Sequence, residues 1–276
     1  MTGADKGMHR IGIDVGGSTL RVGEVDVVSG RVAGAVDTLP MPAGARPDDV
    51  LAALAASPVL RGGTGSIGLG IPSVVEHGVA RTAAHLDGAW IGLDVAAAFT
   101  RLTSRPTVVI NDADAAGLAE MRFGIGRGLR MHAGTADGAT ARRIIVLTLG
   151  TGIGSALFLD ERLWPNTEFG HLRLPGVDDV DGEGWAAASV RTRLDLDWST
   201  WAARVDAYLQ ELQRLLWPDV FIVGGAVSEH AAEWVPLLKC AVPVLPAVLR
   251  GQAGVVGAAL AAAGGAEADD IETWTS

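Results

Sequence analysis

The chain has a single cysteine, Cys240, and only two lysines, Lys6 and Lys239, among its 276 residues. One cysteine forms neither an internal disulfide nor a thiolate zinc cluster, so neither framework holds this fold. Within the apolar run 237–242 it reads as a small buried residue. Arginine supplies the rest of the positive charge, and with abundant alanine and glycine this is the bias of a GC-rich genome. The net charge of −10 argues against a nucleic-acid binder, because phosphate backbones attract basic surfaces. A local basic pocket for an anionic substrate stays open. The longest apolar run, around 255–263, is far short of the ~20 residues of a membrane span. Residues 1–10 are polar, with no apolar signal region behind their charges. These absences predict a cytoplasmic protein with no membrane or nucleic-acid partner. What is present, 49% hydrophobic and 20% charged residues, is the composition of an ordinary globular chain with room for one large or two small domains.

The pattern along the chain is mixed α/β. Strands are predicted at 11–15, 20–27, 31–37, 67–71 and 107–110, with a hairpin at 74–80 and helices at 48–56 and 93–102. The same grammar then restarts. A helix over 112–123 and a glycine-and-arginine loop over 124–142 lead to strands at 143–149 and 155–159. A long helix over 198–216, a strand at 220–223, a helix over 226–238 and a last helix follow. The strand–glycine turn–strand at 11–18 has a counterpart at 146–152, a faint internal repeat. It predicts a small domain over 9–110, with a final helix over 253–264 packed back on it, a larger domain over 111–252, and an acidic tail at 265–276.

Glycine signals need sorting. No glycine is followed by lysine, so there is no Walker A loop, and Gly63-x-Gly65-x-x-Gly68 precedes a strand, which is wrong for dinucleotide binding. Asp14 to Thr19 is different. Asp14 ends a buried strand, where a carboxylate is costly unless it holds something such as a hydrated metal ion. Gly16 and Gly17 open the backbone to phosphate oxygens, and Ser18 and Thr19 add hydroxyls. Alone, the segment is equally a tight hairpin; its pairing with Gly150, Thr151 and Gly152 favours phosphate. Asn111 and Asp112 stand at the carboxyl edge of a strand, where Asn111 can bond a sugar hydroxyl and Asp112 can take its proton. A plain helix cap is about equally good a reading of that pair. Glu168 and His171 place a carboxylate near an imidazole without the further ligands zinc needs, which fits hydroxyl recognition better.

Taken together, Asp14-Val15-Gly16-Gly17-Ser18, the segment Ile110 to Glu120, Leu147 to Gly154 and Val223-Gly224-Gly225 resemble the ROK family of sugar kinases. Trp164 to His171 and Trp217-Pro218-Asp219 are similar to its polyphosphate-glucokinase branch. The resemblance runs from Ile11 to about Leu260. It implies an α/β, actin-like (ribonuclease-H-like) two-domain fold with an interdomain active-site cleft. It further implies phosphorylation of the 6-hydroxyl of glucose from polyphosphate and/or ATP, with Mg²⁺, in a homodimer. Asp112 would be the base, with Asn111, Glu168 and His171 on sugar hydroxyls. Asp14 (to Mg²⁺ through water), Gly16, Gly17, Ser18, Thr19, Arg21, Gly150, Thr151, Gly152, Gly224 and Gly225 would hold phosphates and nucleotide. The cysteine-rich zinc motif of many relatives is missing, so His171 is expected to be metal-free.

There are departures. His85 stands where the family usually has a sugar-binding asparagine, Arg21 replaces a common lysine, and Ser228-Glu229-His230 replaces a more basic stretch. The loop 124–142 is longer than usual, and a second sugar-binding glutamate found in zinc-containing relatives has no assigned match. Three alternatives stand beside a polyphosphate- and ATP-using glucokinase. One is an ATP-only kinase for another hexose. A sugar-responsive repressor is disfavoured by the roughly ten residues before the first strand, too few for a helix-turn-helix. A catalytically dead sugar sensor is disfavoured by the presence of Asp112.

Overall fold

Alternation along two central strands decides how the first half of the chain packs. In β1 (His9–Val15), Ile11, Ile13 and Val15 face one side and Gly12 and Asp14 the other. β4 (Ile67–Ile71) repeats this, with Ile67, Leu69 and Ile71 opposed to Gly68 and Gly70. The large residues join Leu20, Val22, Val50, Leu54, Trp90 and Phe99 in one core. The glycine face takes helices at very close range. The computed structural model describes residues 8–130 and 142–265. They fall into two units: residues up to Ala119 together with those from Gln252, and residues Glu120–Gly251.

The first unit holds β1, β2 (Thr19–Asp26), β3 (Arg31–Pro40), β4, the small hairpin β5 (Val75–Glu76) and β6 (Val79–Ala80), and β7 (Thr107–Asn111). Its main sheet has the order β3-β2-β1-β4-β7. The first three strands form an antiparallel meander, and β1, β4 and β7 run parallel. Helices α1 (Pro47–Ala55), α2 (Pro58–Gly62) and α3 (Val95–Thr103) belong to this unit. Helix α4 (Asp112–Arg122) is shared: its first turns lie in this unit, and from Glu120 it belongs to the second. The buried Glu120 carboxylate accepts from the N–H groups of Ile125, Val248 and Leu249 at 3.2, 3.1 and 2.7 Å, which ties the end of the helix to the second unit.

The second unit repeats the first sheet. β8 (Arg143–Leu149), β9 (Ile153–Leu159), β10 (Arg162–Trp164), β11 (Val220–Gly224) and β12 (Val244–Pro246) lie in the order β10-β9-β8-β11-β12, with the same antiparallel and parallel pairings. Helices α5 (Gly126–Arg130), α6 (Gly182–Ala186), α7 (Ala188–Arg193), α8 (Trp198–Leu216) and α9 (Ala231–Trp234) complete it. Asp197 caps α8, accepting from the Thr200 N–H at 2.7 Å, and Trp201, Tyr208 and Leu212 carry its buried stripe. α10 (Ala253–Leu260) belongs to the first unit and lies on the glycine face.

Two local expectations change. The helix predicted over 226–238 is a 3₁₀ turn (Ala226–His230), α9, and a second 3₁₀ turn (Val235–Leu237) that includes Pro236, which has no N–H to donate into a continuous helix. The expected loop 124–142 begins with the short helix α5, and residues 131–141 lie outside the described residues.

Candidate active site

In the first unit the glycine turn between β1 and β2 is closed by the Gly16 N–H donating to the Thr19 carbonyl at 2.9 Å, leaving Gly17 and Ser18 exposed. Asp14 precedes it on the glycine face, directly beneath Gly254, where a Cβ would collide with the carboxyl group. Burial pushes the Asp14 carboxyl above its ordinary range, and the Arg21 guanidinium, bonded to Oδ2 at 3.2 Å, pulls it back. Arg21, expected on phosphate, is thus also the partner of Asp14.

Asn111 and Asp112 close β7 and open α4. The pairing register aligns Asp14, Gly70 and Ile110 across β1, β4 and β7, so Asp14 and the Asn111–Asp112 pair share the carboxyl edge of three parallel strands. Two interstrand steps separate them, roughly 10 Å. The capping role belongs to Asn111: its Oδ1 accepts from the N–H groups of Ala113 and Asp114 at 2.9 and 3.1 Å. Its amide donates to the Ser73 carbonyl at 3.1 Å, which leaves one amide hydrogen to offer elsewhere. Asp112 is the first helical residue, where the helix dipole favours an ionised carboxylate. Ser73 reaches on, its hydroxyl oxygen 2.8 Å from each of the carbonyls of Val74 and Thr82, one of which takes its proton. The loop anchored at Thr82 continues to His85, which is exposed and adopts left-handed backbone, φ 59°.

In the second unit the corresponding turn, Gly150 to Gly152, is held from α7: the Ser189 N–H donates to the Gly150 carbonyl at 3.0 Å and its hydroxyl to the Thr151 carbonyl at 2.6 Å. The Glu183 carboxylate accepts from the Ile153 N–H at 3.0 Å, and it would have to shift to admit a side chain at Gly152. Gly224 ends β11 and Gly225 follows it, beside this turn. Gly225 has φ 86° and abuts the Leu149 backbone, so both its conformation and its contact demand glycine.

Glu168 and His171 flank a 3₁₀ turn (Phe169–His171) anchored on β9: the Ser155 hydroxyl donates to the Thr167 carbonyl at 2.7 Å and accepts from the Phe169 N–H at 3.1 Å. His171 Nε2 lies 3.8 Å from the Glu168 carboxylate, and Nδ1 lies 2.9 Å from Asp181. The Asp181 hydrogen bond raises the His171 pKa above the ordinary imidazole value. Burial raises the Glu168 carboxyl, His171 draws it down, and Glu183 adds to the rise.

Asp14, Gly16 to Thr19, Arg21, Asn111 and Asp112 therefore gather at one sheet edge of the first unit. Gly150 to Gly152, Gly224 and Gly225 gather in the second, with Glu183 linking their turn electrostatically to Glu168 and His171. Ser73, Asp181 and Glu183 escaped the sequence reading. The Asp181-x-x-Gly184 cap was a visible helix-start signal, but a side chain reaching back ten residues was not. Of the basic residues near the 124–142 segment, Arg122 and Arg127 are exposed, whereas Arg143 faces Asp219 at 3.4 Å and Arg142 donates to the Leu129 carbonyl at 3.2 Å. Among the described residues no group of three or more His, Cys, Asp and Glu could enclose a metal ion. A single buried carboxylate at Asp14 fits hydrated Mg²⁺, which keeps most of its waters.

The ROK family model matches residues 10–184. The chain is 41% identical over 260 residues to a polyphosphate glucokinase of Mycobacterium tuberculosis, covering 94% of this chain and 93% of that one. Among solved structures, an inorganic polyphosphate/ATP-glucomannokinase from Arthrobacter sp. strain KM superposes with a TM-score of 0.79 at 38% identity, covering 92% of this chain and 98% of the other. A ROK hexokinase from Thermus thermophilus gives 0.67 at 26% identity, covering 92% and 97%. The duplicated sheets and these likenesses are those of the actin-like two-domain sugar kinases, and the chain belongs to the ROK family.

Proposed function

We propose that this protein phosphorylates the 6-hydroxyl of glucose with polyphosphate or ATP as donor, Asp112 acting as the base. One observation carries the reading: 41% identity to a polyphosphate glucokinase over 94% of the chain. The site geometry is compatible with it. Phosphoryl transfer asks a protein mainly for positioning and charge stabilisation, with one group to take the acceptor proton. Asp112 takes that proton from the hydroxyl. The remaining amide hydrogen of Asn111, the Glu168 carboxylate and the His171 ring bond the other hydroxyls. The turns at Gly16 to Thr19 and Gly150 to Gly152 receive donor phosphates, with Arg21 beside the first and Gly224 and Gly225 beside a nucleotide. When bound, Mg²⁺ neutralises phosphate charge, and Asp14 would hold it through water. The protein is read as a cytoplasmic homodimer, and sedimentation velocity decides the oligomeric state. The reading is tested with purified protein, a panel of hexoses and each donor in turn. Product with no hexose, or from neither donor, would contradict it and favour a sugar sensor.

Three residues bear on the choice of sugar and donor. His85 carries an imidazole where an asparagine would carry an amide. His85→Asn is expected to change the Michaelis constant for glucose more than turnover; equal effects on both would remove His85 from the sugar site. For the donor, a chain at −10 must gather local positive charge to hold a polyanion, and exposed Arg127 with neighbouring Arg130 is well suited. Two surface ion pairs at ~0.7 kcal/mol each amount to roughly tenfold. Arg127→Gln with Arg130→Gln should raise KM for polyphosphate by about that factor and hardly alter KM for ATP. Polyphosphate use should also weaken as salt rises from 0.1 to 1 M, because the screening length shrinks from ~10 to ~3 Å. Equal losses with both donors would assign these arginines to the fold or a shared phosphate site.

A further inference from the structure

His171 is gripped through one ring nitrogen only. Its Nδ1 lies 2.9 Å from Asp181 Oδ2, while Nε2 stands 3.8 Å from Glu168, outside hydrogen-bond range. Asp181 is itself fixed. Its other oxygen accepts from the Gly184 N–H at 2.9 Å, capping α6. The next residue, Gly182, donates its N–H to the Leu172 carbonyl at 2.8 Å, tying the two segments together one residue beyond each of the pair. Behind Gly182 stands the fully buried Tyr208 ring, so close that a Cβ at 182 would strike it. The carboxylate cannot follow the imidazole if the ring moves; the ring must come to the carboxylate.

An ionised carboxylate only accepts, so the proton on Nδ1 is fixed by its partner. We propose that Asp181 is a positioning residue of the sugar site, holding the His171 proton on Nδ1 so that Nε2 is the atom presented to a sugar hydroxyl. This rests on the reading of His171 as a sugar ligand. In the imidazolium Nε2–H donates, and in the neutral ring Nε2 accepts; without Asp181 the neutral ring can place its proton on either nitrogen. The charged and titratable groups facing the ring are Asp181, Glu168 and Glu183, with Tyr208 neutral behind them. All three carboxylates favour the imidazolium, and the Asp181 hydrogen bond contributes most. Asp181 is held below the usual carboxylate range: burial works to raise it, and the Gly184 N–H and His171 outweigh that.

A role confined to capping α6 makes different predictions, and two variants separate them. Asp181→Asn keeps a good cap and removes the charge; Asp181→Ser keeps a cap but is too short to reach the ring. The first readout is the ¹⁵N titration of His171 in each protein, assigned by comparison with His171→Gln. Its pKa should fall in both variants, and the neutral Nδ1–H tautomer should lose its dominance. The second readout is kinetic. KM for glucose should rise ~10-fold, the size of one charge-assisted hydrogen bond, with kcat within ~2-fold and thermal stability nearly unchanged. The step in the pH profile of KM should move to lower pH with the ring pKa. In a His171→Gln background the same changes at 181 should add little, since the partner is already gone. An unchanged His171 titration, or a wild-type KM in Asp181→Asn, overturns the proposal. If the wild-type protein phosphorylates no hexose, the kinase reading fails and takes this inference with it. Normal wild-type activity with unaffected variants fails this inference alone.

Discussion

Asp112→Asn is expected to lower kcat by ~10²–10⁴, the usual contribution of a positioned general base, while glucose binding and folding stay close to wild type. The structure makes this variant unusually clean. The sequence left Asp112 open to two readings, base or helix cap, and the capping bonds are made by Asn111 Oδ1 to Ala113 and Asp114. Asp112 begins the helix itself, and the bond its Oδ1 accepts from the Ala113 N–H at 2.9 Å can be kept by an asparagine oxygen. What is lost is the ability to take a proton. Thermal melting should shift by no more than a surface substitution does, within ~0.5 kcal/mol. Calorimetry should find glucose affinity preserved. Turnover within tenfold of wild type would remove Asp112 from the mechanism.

The largest expected effect on stability is at Gly68. A Cβ there would fall on the Ala258 carbonyl of α10, and Gly12 and Gly257 are in the same position against the Val255 and Ala115 carbonyls. Backbone cannot swing aside as a long side chain can, so the helix must lift from the sheet or the strand must bend. Gly68→Ala should cost on the order of 3 kcal/mol, at the upper end of overpacking penalties. For a unit of this size that is a fall of roughly 10 °C in melting temperature. Gly62→Ala is the control, because nothing stands within 4 Å of the new methyl group; it should melt within ~0.5 kcal/mol of wild type. Equal melting of the two variants would mean that α10 does not sit on the glycine face as described. Function would follow stability here, since Gly254 at the start of α10 covers the Asp14 carboxyl.

The same glycines show what a sequence can and cannot say. Ile11-Gly12-Ile13 and Ile67-Gly68-Leu69-Gly70-Ile71 announce strands with one large and one small face, and the two glycine turns announce a duplicated plan, realised as two sheets of one topology. The long helix α8 was readable to the residue as a helix over 198–216. Why one strand face is small was not readable, because the backbone that fills it arrives some 190 residues later in the chain. Short elements such as α2, α6, α7 and β12 were missed, since three to six residues carry no periodic signal. At the site, residues adjacent in sequence (Asp14 to Thr19, Asn111 with Asp112, Glu168 with His171) were legible as clusters. Asp181, Glu183 and Ser73 act across loops through side-chain geometry, to which local spacing is blind.

The proposed reaction is a phosphoryl transfer to the 6-hydroxyl of glucose. Its most direct measurement is the ³¹P and ¹³C NMR of the product formed when purified protein is incubated with [6-¹³C]glucose, Mg²⁺ and polyphosphate, and separately with ATP. The expected product is glucose 6-phosphate from at least one donor, with phosphorus coupling to the labelled carbon. Phosphate on another hydroxyl, or intact glucose with both donors, would contradict it.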